Sequence, residues 1–378
     1  MNYVFDLESN GLYNDVSTIH CIVLKDIDTN KIIQVDVNQA LKLLSEAELI
    51  IGHNIIKYDI PVLKKLYGFK TKAKVFDTLV ATRLIWSDLT DSDMKRVHTI
   101  NYPRSLVNRH SLKAWGIRLG NYKQQIDTDW SVFTQEMLEY CIQDVEVTHT
   151  LYQKILGQKI FSESLDLEHA VAELISRQEI YGVMFDKEKA TKLYAELSSE
   201  RDTIKQEMEE TFKPITIKRV SEKTGKPLKD KVVEFNPSSR RQIADRLKTK
   251  YNWKPVVFTN DGLPKIDDTV LNSLDFPEAK LLARYFLLEK RIGMLAEGKQ
   301  AYLKPIIKGR LHGNVNTNAA VTGRATASQP NLQQVPSVGV PYGKQFRELF
   351  IVPKNKSLVG CDVSGLELRI LGHYIAKF

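Results

Sequence analysis

At 378 residues, 43% hydrophobic and 26% charged, the chain is long enough for two or three domains with cores of their own and has the composition of an ordinary soluble globular protein. No apolar run approaches the 18 or more residues of a membrane span, the N-terminus has no signal character, and Cys21, Cys141 and Cys361 lack CxxC spacing, so the expectation is a protein of a reducing cytoplasm with no structural zinc and no membrane partner. The net charge of +8 is uneven: residues 1–157 hold 18 Lys+Arg against 19 Asp+Glu and the remainder 36 against 27, which points to a polyanion partner for the second part.

Residues 3–10, Tyr-Val-Phe-Asp-Leu-Glu-Ser-Asn, predict a strand. Side chains alternate along a strand, so Asp6 and Glu8 share one side while Phe5 and Leu7 enter a core. Two carboxylates so close raise each other's pKa unless a cation neutralises them, and a hard divalent ion with oxygen ligands does so. The triplet alone is weak, because Asp144-Val145-Glu146 and Asp166-Leu167-Glu168 repeat it.

Residues 20–24 predict a second, buried strand, residues 32–35 a third after a turn at Asn30, and residues 38–48 a helix. The apolar run 49–54 ends in a polar tip, and Asp59 falls where a strand hands over to a helix opened by Pro61; as an N-cap Asp59 has a structural role too. Asp77 reads as the cap of a helix over residues 79–86, residues 87–110 as a polar surface loop with His98 and His110 on the surface, and residues 112–115 as a short helix. Residues 131–155 predict a strong helix whose otherwise apolar stripe carries Asp144, one turn beyond Tyr140, with Cβ atoms about 6 Å apart. A carboxylate there is costly unless it is paired or holds a metal.

Asp6 and Glu8, then Asn54 with Tyr58-Asp59, then Tyr140-x-x-x-Asp144 resemble, in order and spacing, the proofreading 3′–5′ exonuclease of the DEDDy type, with an α/β ribonuclease H-like fold of mixed sheet and flanking helices. The resemblance implies that Asp6, Glu8 and Asp144 hold two Mg²⁺ ions, for which Mn²⁺ substitutes, that Asp59 acts partly through water, and that Tyr140 orients the attacking water. The substrate would be a single-stranded DNA 3′ end.

Further on, two long helices over residues 165–182 and 186–212 precede a basic segment, residues 213–234, with seven basic and three acidic residues around Thr224-Gly225-Lys226-Pro227. Phe235-Asn236-Pro237-Ser238-Ser239 caps a helix with Arg240 and Arg241 in its first turn, and a longer helix spans residues 277–303. Val321-Thr322-Gly323-Arg324-Ala325, Pro330-Asn331-Leu332-Gln333 and Gly360-Cys361-Asp362-Val363-Ser364-Gly365-Leu366-Glu367-Leu368-Arg369 are similar to the palm entry and first catalytic motif of family A, DNA polymerase I-like enzymes, most of all those of short-tailed, T-odd-type bacteriophages. That resemblance implies three parts: an exonuclease domain over residues 1–157, a mostly helical thumb over 158–308, and a partial α+β palm over 309–378. It makes Asp362 one of two palm metal ligands, half a metal site, sets Glu367 near the sugar of an incoming nucleotide, and gives Asn54, Arg240, Arg241, Arg324 and Gln333 to DNA.

The short 213–234 segment, where relatives that recruit thioredoxin carry a long insertion, argues against thioredoxin as a partner. The motifs stop before a fingers helix and a second palm aspartate, so the expectation is the N-terminal part of a split polymerase, with a palm strand over residues 357–362, completed by a second chain. A non-catalytic primer-template binding subunit, a free-standing exonuclease with a relict palm, and a truncated polymerase are the alternatives.

Overall fold

The computed structural model describes residues 1–121, 126, 128–220 and 225–377. They form two compact units, one made of Met1–Tyr181 with Gly313–Ser328, the other of Gly182–His312 with Gln329–Phe378.

The first unit is built on a mixed five-stranded sheet in the order β3-β2-β1-β4-β5. Its strands are β1 (Asn2–Ser9), β2 (Ile19–Asp26), β3 (Ile32–Gln34), β4 (Leu49–Gly52) and β5 (Lys74–Asp77). β1 pairs antiparallel with β2 and parallel with β4. Being central, β1 has both faces covered. Tyr3, Phe5 and Leu7 enter one core with Ala40 and Leu44 of helix α1 (Val37–Glu46), and Val62 and Leu63 of α2 (Asp59–Tyr67). Val4 enters the other core with Cys141, Val145 and Leu151 of α6 (Gln135–Leu156). Asp6 and Glu8 follow Val4 at the strand period, so they leave the sheet on the α6 side.

Helix starts obey the capping chemistry of the sequence: Asp36, Asp77, Ser111 and Thr134 each accept a backbone N–H two or three residues on, opening α1, α3 (Thr78–Ile85), α5 (Leu112–Leu119) and α6. Asp77 is thus the cap expected of it. The region expected as a loop contains α4 (Thr90–Thr99), and α5 runs four residues beyond its predicted end to an αL cap at Gly120. α4 escapes periodicity because its buried residue is Asp93, whose carboxylate takes Arg118 Nη2 at 2.7 Å and Nε at 3.0 Å and the Asn108 N–H at 2.9 Å. The unit closes with α7 (Ser162–Tyr181) and the short hairpin of β11 (Asn314–Asn316) and β12 (Thr326–Ser328).

In the second unit β6 (Val183–Phe185) pairs with β13 (Phe350–Ile351) and β10 (Arg310–Leu311), and β10 with β9 (Ile306–Ile307). Its core is supplied by Leu193, Leu197 and Ile204 of α8 (Lys187–Thr211), Ile243 and Leu247 of α9 (Arg240–Tyr251), and Leu282, Leu288 and Ile292 of α11 (Pro277–Ile292). Ser239 caps α9, as expected, and α11 stops ten or so residues short of the predicted end, passing into a π-turn over Gly293–Glu297. β7 (Ile215–Val220) and β8 (Pro227–Val233) form a hairpin from the basic segment, with Ile215, Ile217, Leu228 and Val232 exposed; Thr224 of the expected turn lies outside the described residues. α10 (Asp268–Asn272), α12 (Gly343–Arg347) and α13 (Leu366–Lys377) complete the unit. Residues 357–362 are not the expected strand: they are exposed, take no regular secondary structure and have no ladder partner among the described residues. No described helix is long and apolar enough to cross a membrane.

Candidate active site

The polar end of β1, the turn after β4 and the middle of α6 in the first unit meet at a cleft of about 840 Å³ lined by Asp6, Asn54, Lys57, Arg83, His110 and Asp144, among others. α6 lies against β1 so closely that Cys141, between Tyr140 and Asp144, places its Sγ 3.4 Å from the Asp6 carbonyl oxygen and 3.7 Å from Asp6 Oδ2. Ligand atoms of Asp6, Glu8 and Cys141 all lie within 4.8 Å of one another. Asp6 and Asp144, 138 positions apart in the chain, therefore line one cleft, with Glu8 beside Asp6.

Asp59 arrives by a different route from the one expected. β4 ends at Gly52, and six residues of turns precede α2, whose N-cap is Tyr58. Gly52 is needed because a Cβ there would sit 2.1 Å from Ile55 Cγ2 and 3.0 Å from the Phe5 carbonyl oxygen. Asn54 takes the left-handed conformation, φ 68°, and its N–H with that of Ile56 donates to the two oxygens of Asp77, at 2.9 and 3.1 Å. Tyr58 Oη bridges Ser9 Oγ and the Gly11 carbonyl, both at 2.5 Å, which ties the turn to the end of β1. Buried Asp77 is fixed in turn: its N–H donates to His169 Nε2 at 2.8 Å, while His169 Nδ1–H donates to the Leu165 carbonyl at 2.7 Å.

Asp59 is only 4% exposed. Burial pushes its carboxyl up to about 7, against the pull of the Asp59 and Leu7 backbone N–H groups, and the charges of Asp77 and Asp144 add to the rise. A buried carboxyl held up mainly by its burial, with the Asp144 charge near it and the ligand atoms of Asp6 and Glu8 within 4.8 Å of each other, belongs to a donor set suited to a divalent cation. Asp6, Glu8, Asp59 and Asp144 fit the two-ion expectation by this criterion. Tyr140, half-buried one turn before Asp144, meets Trp130 edge-on at 6.3 Å.

The repeated Asp-x-Glu triplets separate cleanly. Glu146 pairs with Lys25 at 2.7 Å and Asp166 with Lys74 at 2.8 Å, both from helices, where residues two apart diverge.

Lys57, Arg83, His110, Glu179, Asn314 and Asn316 line the cleft without having been expected there. Lys57 Nζ donates to Glu179 Oε1 and the Val315 carbonyl, both at 2.7 Å, the Val315 N–H returns to Glu179 at 2.6 Å, and Arg83 Nη1 reaches Asn316 Oδ1 at 3.0 Å. These contacts join positions more than 100 apart, so no local signal in the sequence could have found them. His110 is a correction: it is half-buried in the cleft wall beside Trp115, its Nδ1 has no hydrogen-bond partner among the described residues, and burial with the Arg118 and Arg83 charges pulls its pKa down to about 4. His98 is exposed, as expected.

Of the residues expected at DNA or a palm site, Asn54 lines the cleft, and Arg324, exposed, belongs to the first unit. In the second unit Arg240 and Arg241 are exposed on the first turn of α9, beside a groove of about 510 Å³. Gln333, Asp362 and Glu367 are exposed as well, and among the described residues Asp362 belongs to no group of three or more metal-ligating side chains.

A mixed sheet with a carboxylate cleft, followed by a mostly helical second unit, is the layout of an exonuclease joined to a polymerase, and comparison with known proteins agrees. Residues 4–159 match the 3′-5′ exonuclease family and residues 173–377 the DNA polymerase family A model. The DNA-directed DNA polymerase of Escherichia phage T7 is 34% identical, over 99% of this chain and 70% of that protein; the phage T3 polymerase is 34% identical over the same shares. DNA polymerase I of Aquifex aeolicus is 26% identical, over 96% of this chain and 60% of its own length. A solved structure, the POL domain of Pol1 from M. smegmatis in complex with DNA primer-template and dNTP, has the same fold over 93% of this chain and 56% of its own, with a TM-score of 0.63 at 16% identity. The chain belongs to DNA polymerase family A.

Proposed function

We propose that the first unit is a Mg²⁺-dependent 3′–5′ proofreading exonuclease that removes the terminal nucleotide of a DNA strand. The observation that carries the reading is the convergence of Asp6 and Asp144 on one cleft, with a Glu8 oxygen within 4.8 Å of Asp6 and the buried Asp59 feeling the Asp144 charge. In this reading Asp6, Glu8 and Asp144 hold the ions directly, and Asp59 contributes partly through water. When bound, the ions supply Lewis-acid stabilisation of the attacking and leaving oxygens. The chain's own groups do the rest: Tyr140 orients the attacking water, Asn54 contacts the strand, and the Lys57–Glu179 pair holds the wall.

The test is digestion of a 5′-labelled single strand with Mg²⁺. The wild type is expected to give a one-nucleotide ladder, and Asp6→Ala/Glu8→Ala to lose at least about a thousandfold in rate, the scale of removing a preorganised charge site. A wild type without a ladder sinks the reading and leaves a primer-template binding subunit.

The division into exonuclease (1–157), thumb (158–308) and partial palm (309–378), with Arg240, Arg241, Arg324 and Gln333 on primer-template, we retain as the functional reading of the remainder. DNA synthesis further requires a second metal carboxylate beside Asp362 and a grip on the triphosphate, with Glu367 near the incoming sugar. The exposed apolar side chains of α13, Leu368, Ile370, Leu371, Tyr374 and Ile375, support docking of a polypeptide that supplies them. Co-expression with candidate partners checks this: co-purification with gain of primer extension is expected, and neither appearing would defeat it.

A further inference from the structure

Helix α7 turns a polar side inward. His169, Ala172, Ser176 and Glu179 recur at threes and fours, so they share one face, and the first three are buried. Leu167 and Leu174 fall on the opposite face and stand 63% and 57% exposed. A helix attached for apolar burial alone would present these faces the other way round. Polar groups go inside without loss only when they are hydrogen-bonded, and the partners of these three are the turn between β4 and α2 and the aspartate that holds it.

Ser176 Oγ donates to the Ile56 carbonyl at 2.8 Å, while the Ile56 N–H donates to Asp77 Oδ2 at 3.1 Å. Both peptide groups of one turn residue are thereby fixed, three positions before Asp59. Asp77, which also accepts the Asn54 N–H, is tethered to α7 by its own N–H, which donates to His169 Nε2 at 2.8 Å. Beside Ile56, Lys57 pairs with Glu179. Asn54, Lys57 and Tyr58 line the cleft, whereas His169 and Ser176 do not, so these two reach it only through the main chain of the turn. Both lie beyond residue 159, where the match to the exonuclease family ends.

We propose that His169 and Ser176 are positioning residues of the exonuclease: they clamp the turn that sets Asn54 and Asp59, so the nuclease is complete only with a helix outside its family match. The inference rests on the exonuclease reading of the cleft. Its leverage is geometric, since a group displaced by about 1 Å can lower a rate about a hundredfold.

The experiment uses the full chain. Ser176→Ala removes the donor, His169→Leu fills the space without an acceptor, and His169→Gln offers an amide oxygen in place of Nε2. Hydrogen–deuterium exchange read by mass spectrometry is expected to quicken roughly tenfold or more over residues 52–59 in the first two variants, with β1 and α6 keeping their protection. In Mg²⁺-driven digestion of a 5′-labelled strand, kcat per folded molecule is expected to fall roughly tenfold or more in both, and His169→Gln to regain most of it. An unloosened turn, or exchange that quickens evenly over β1 and α6 as well, overturns the clamp. A loosened turn with unchanged kcat, or a loss that His169→Gln does not restore, overturns the positioning role. A wild type without a ladder whose turn is nevertheless loosened by Ser176→Ala defeats the exonuclease reading and keeps the clamp.

Discussion

Asp59 carries a consequence that can be weighed. Its folded-state pKa, about 7, lies above the 3.8 of an ordinary aspartate, so between those values the folded chain holds a proton that the unfolded chain releases. Its contribution to stability is therefore greatest below about pH 4 and is lost as pH rises through 7. In chelator, Tm is expected to fall from pH 5 to pH 8, Asp59→Asn to flatten that fall by several degrees, at about 2–4 °C per kcal/mol, and Mg²⁺ to raise Tm most at pH 8. Scanning calorimetry across that range checks the sign. Asp6, Glu8 and Asp144 were legible because each broke a local rule: an acid couple on a buried strand, an acid on an apolar helical stripe. His110, Lys57 and Arg83 broke none, and only tertiary contact brings them to the cleft.

At the level of elements, α4 marks the limit of pattern reading. Its sequence, Thr-Asp-Ser-Asp-Met-Lys-Arg-Val-His-Thr, shows no apolar stripe, and the helix is anchored instead by the fully buried Asp93 carboxylate. Removing one partner of a buried pair leaves the other charge stranded. Asp93→Ala is expected to destabilise the first unit by about 3–5 kcal/mol, and Asp93→Ala/Arg118→Leu to recover part of it, read by urea unfolding. Strand β1 and helix α6, by contrast, were readable nearly to their ends because their cores follow the periods of two and 3.6. The strand expected at residues 357–362 failed for a related reason: a strand is completed by ladder partners, and none of the described elements pairs with it.

Across the molecule, charge and topology pull in different directions. The basic surplus lies beyond residue 157, in the part matched by the polymerase family model. If Arg240 and Arg241 each neutralise one duplex phosphate, Arg240→Ala/Arg241→Ala is expected to flatten the log–log salt dependence of primer-template affinity by about 1.8, at about 0.9 per phosphate. Fluorescence anisotropy over a salt series measures it.

Residues 313–328 nevertheless fold with the nuclease, where the Val315 main chain and Asn316 hold Glu179, Lys57 and Arg83. The chain thus leaves the second unit after His312, adds a hairpin to the first, and rejoins the second at Gln329. A fragment cut after residue 181 would lose the β11–β12 hairpin, and with it the Asn314 and Val315 contacts of Lys57, the Val315 N–H of Glu179 and the Asn316 contact of Arg83 at the rim of the cleft, so the first unit cannot be lifted out as one uninterrupted stretch of chain.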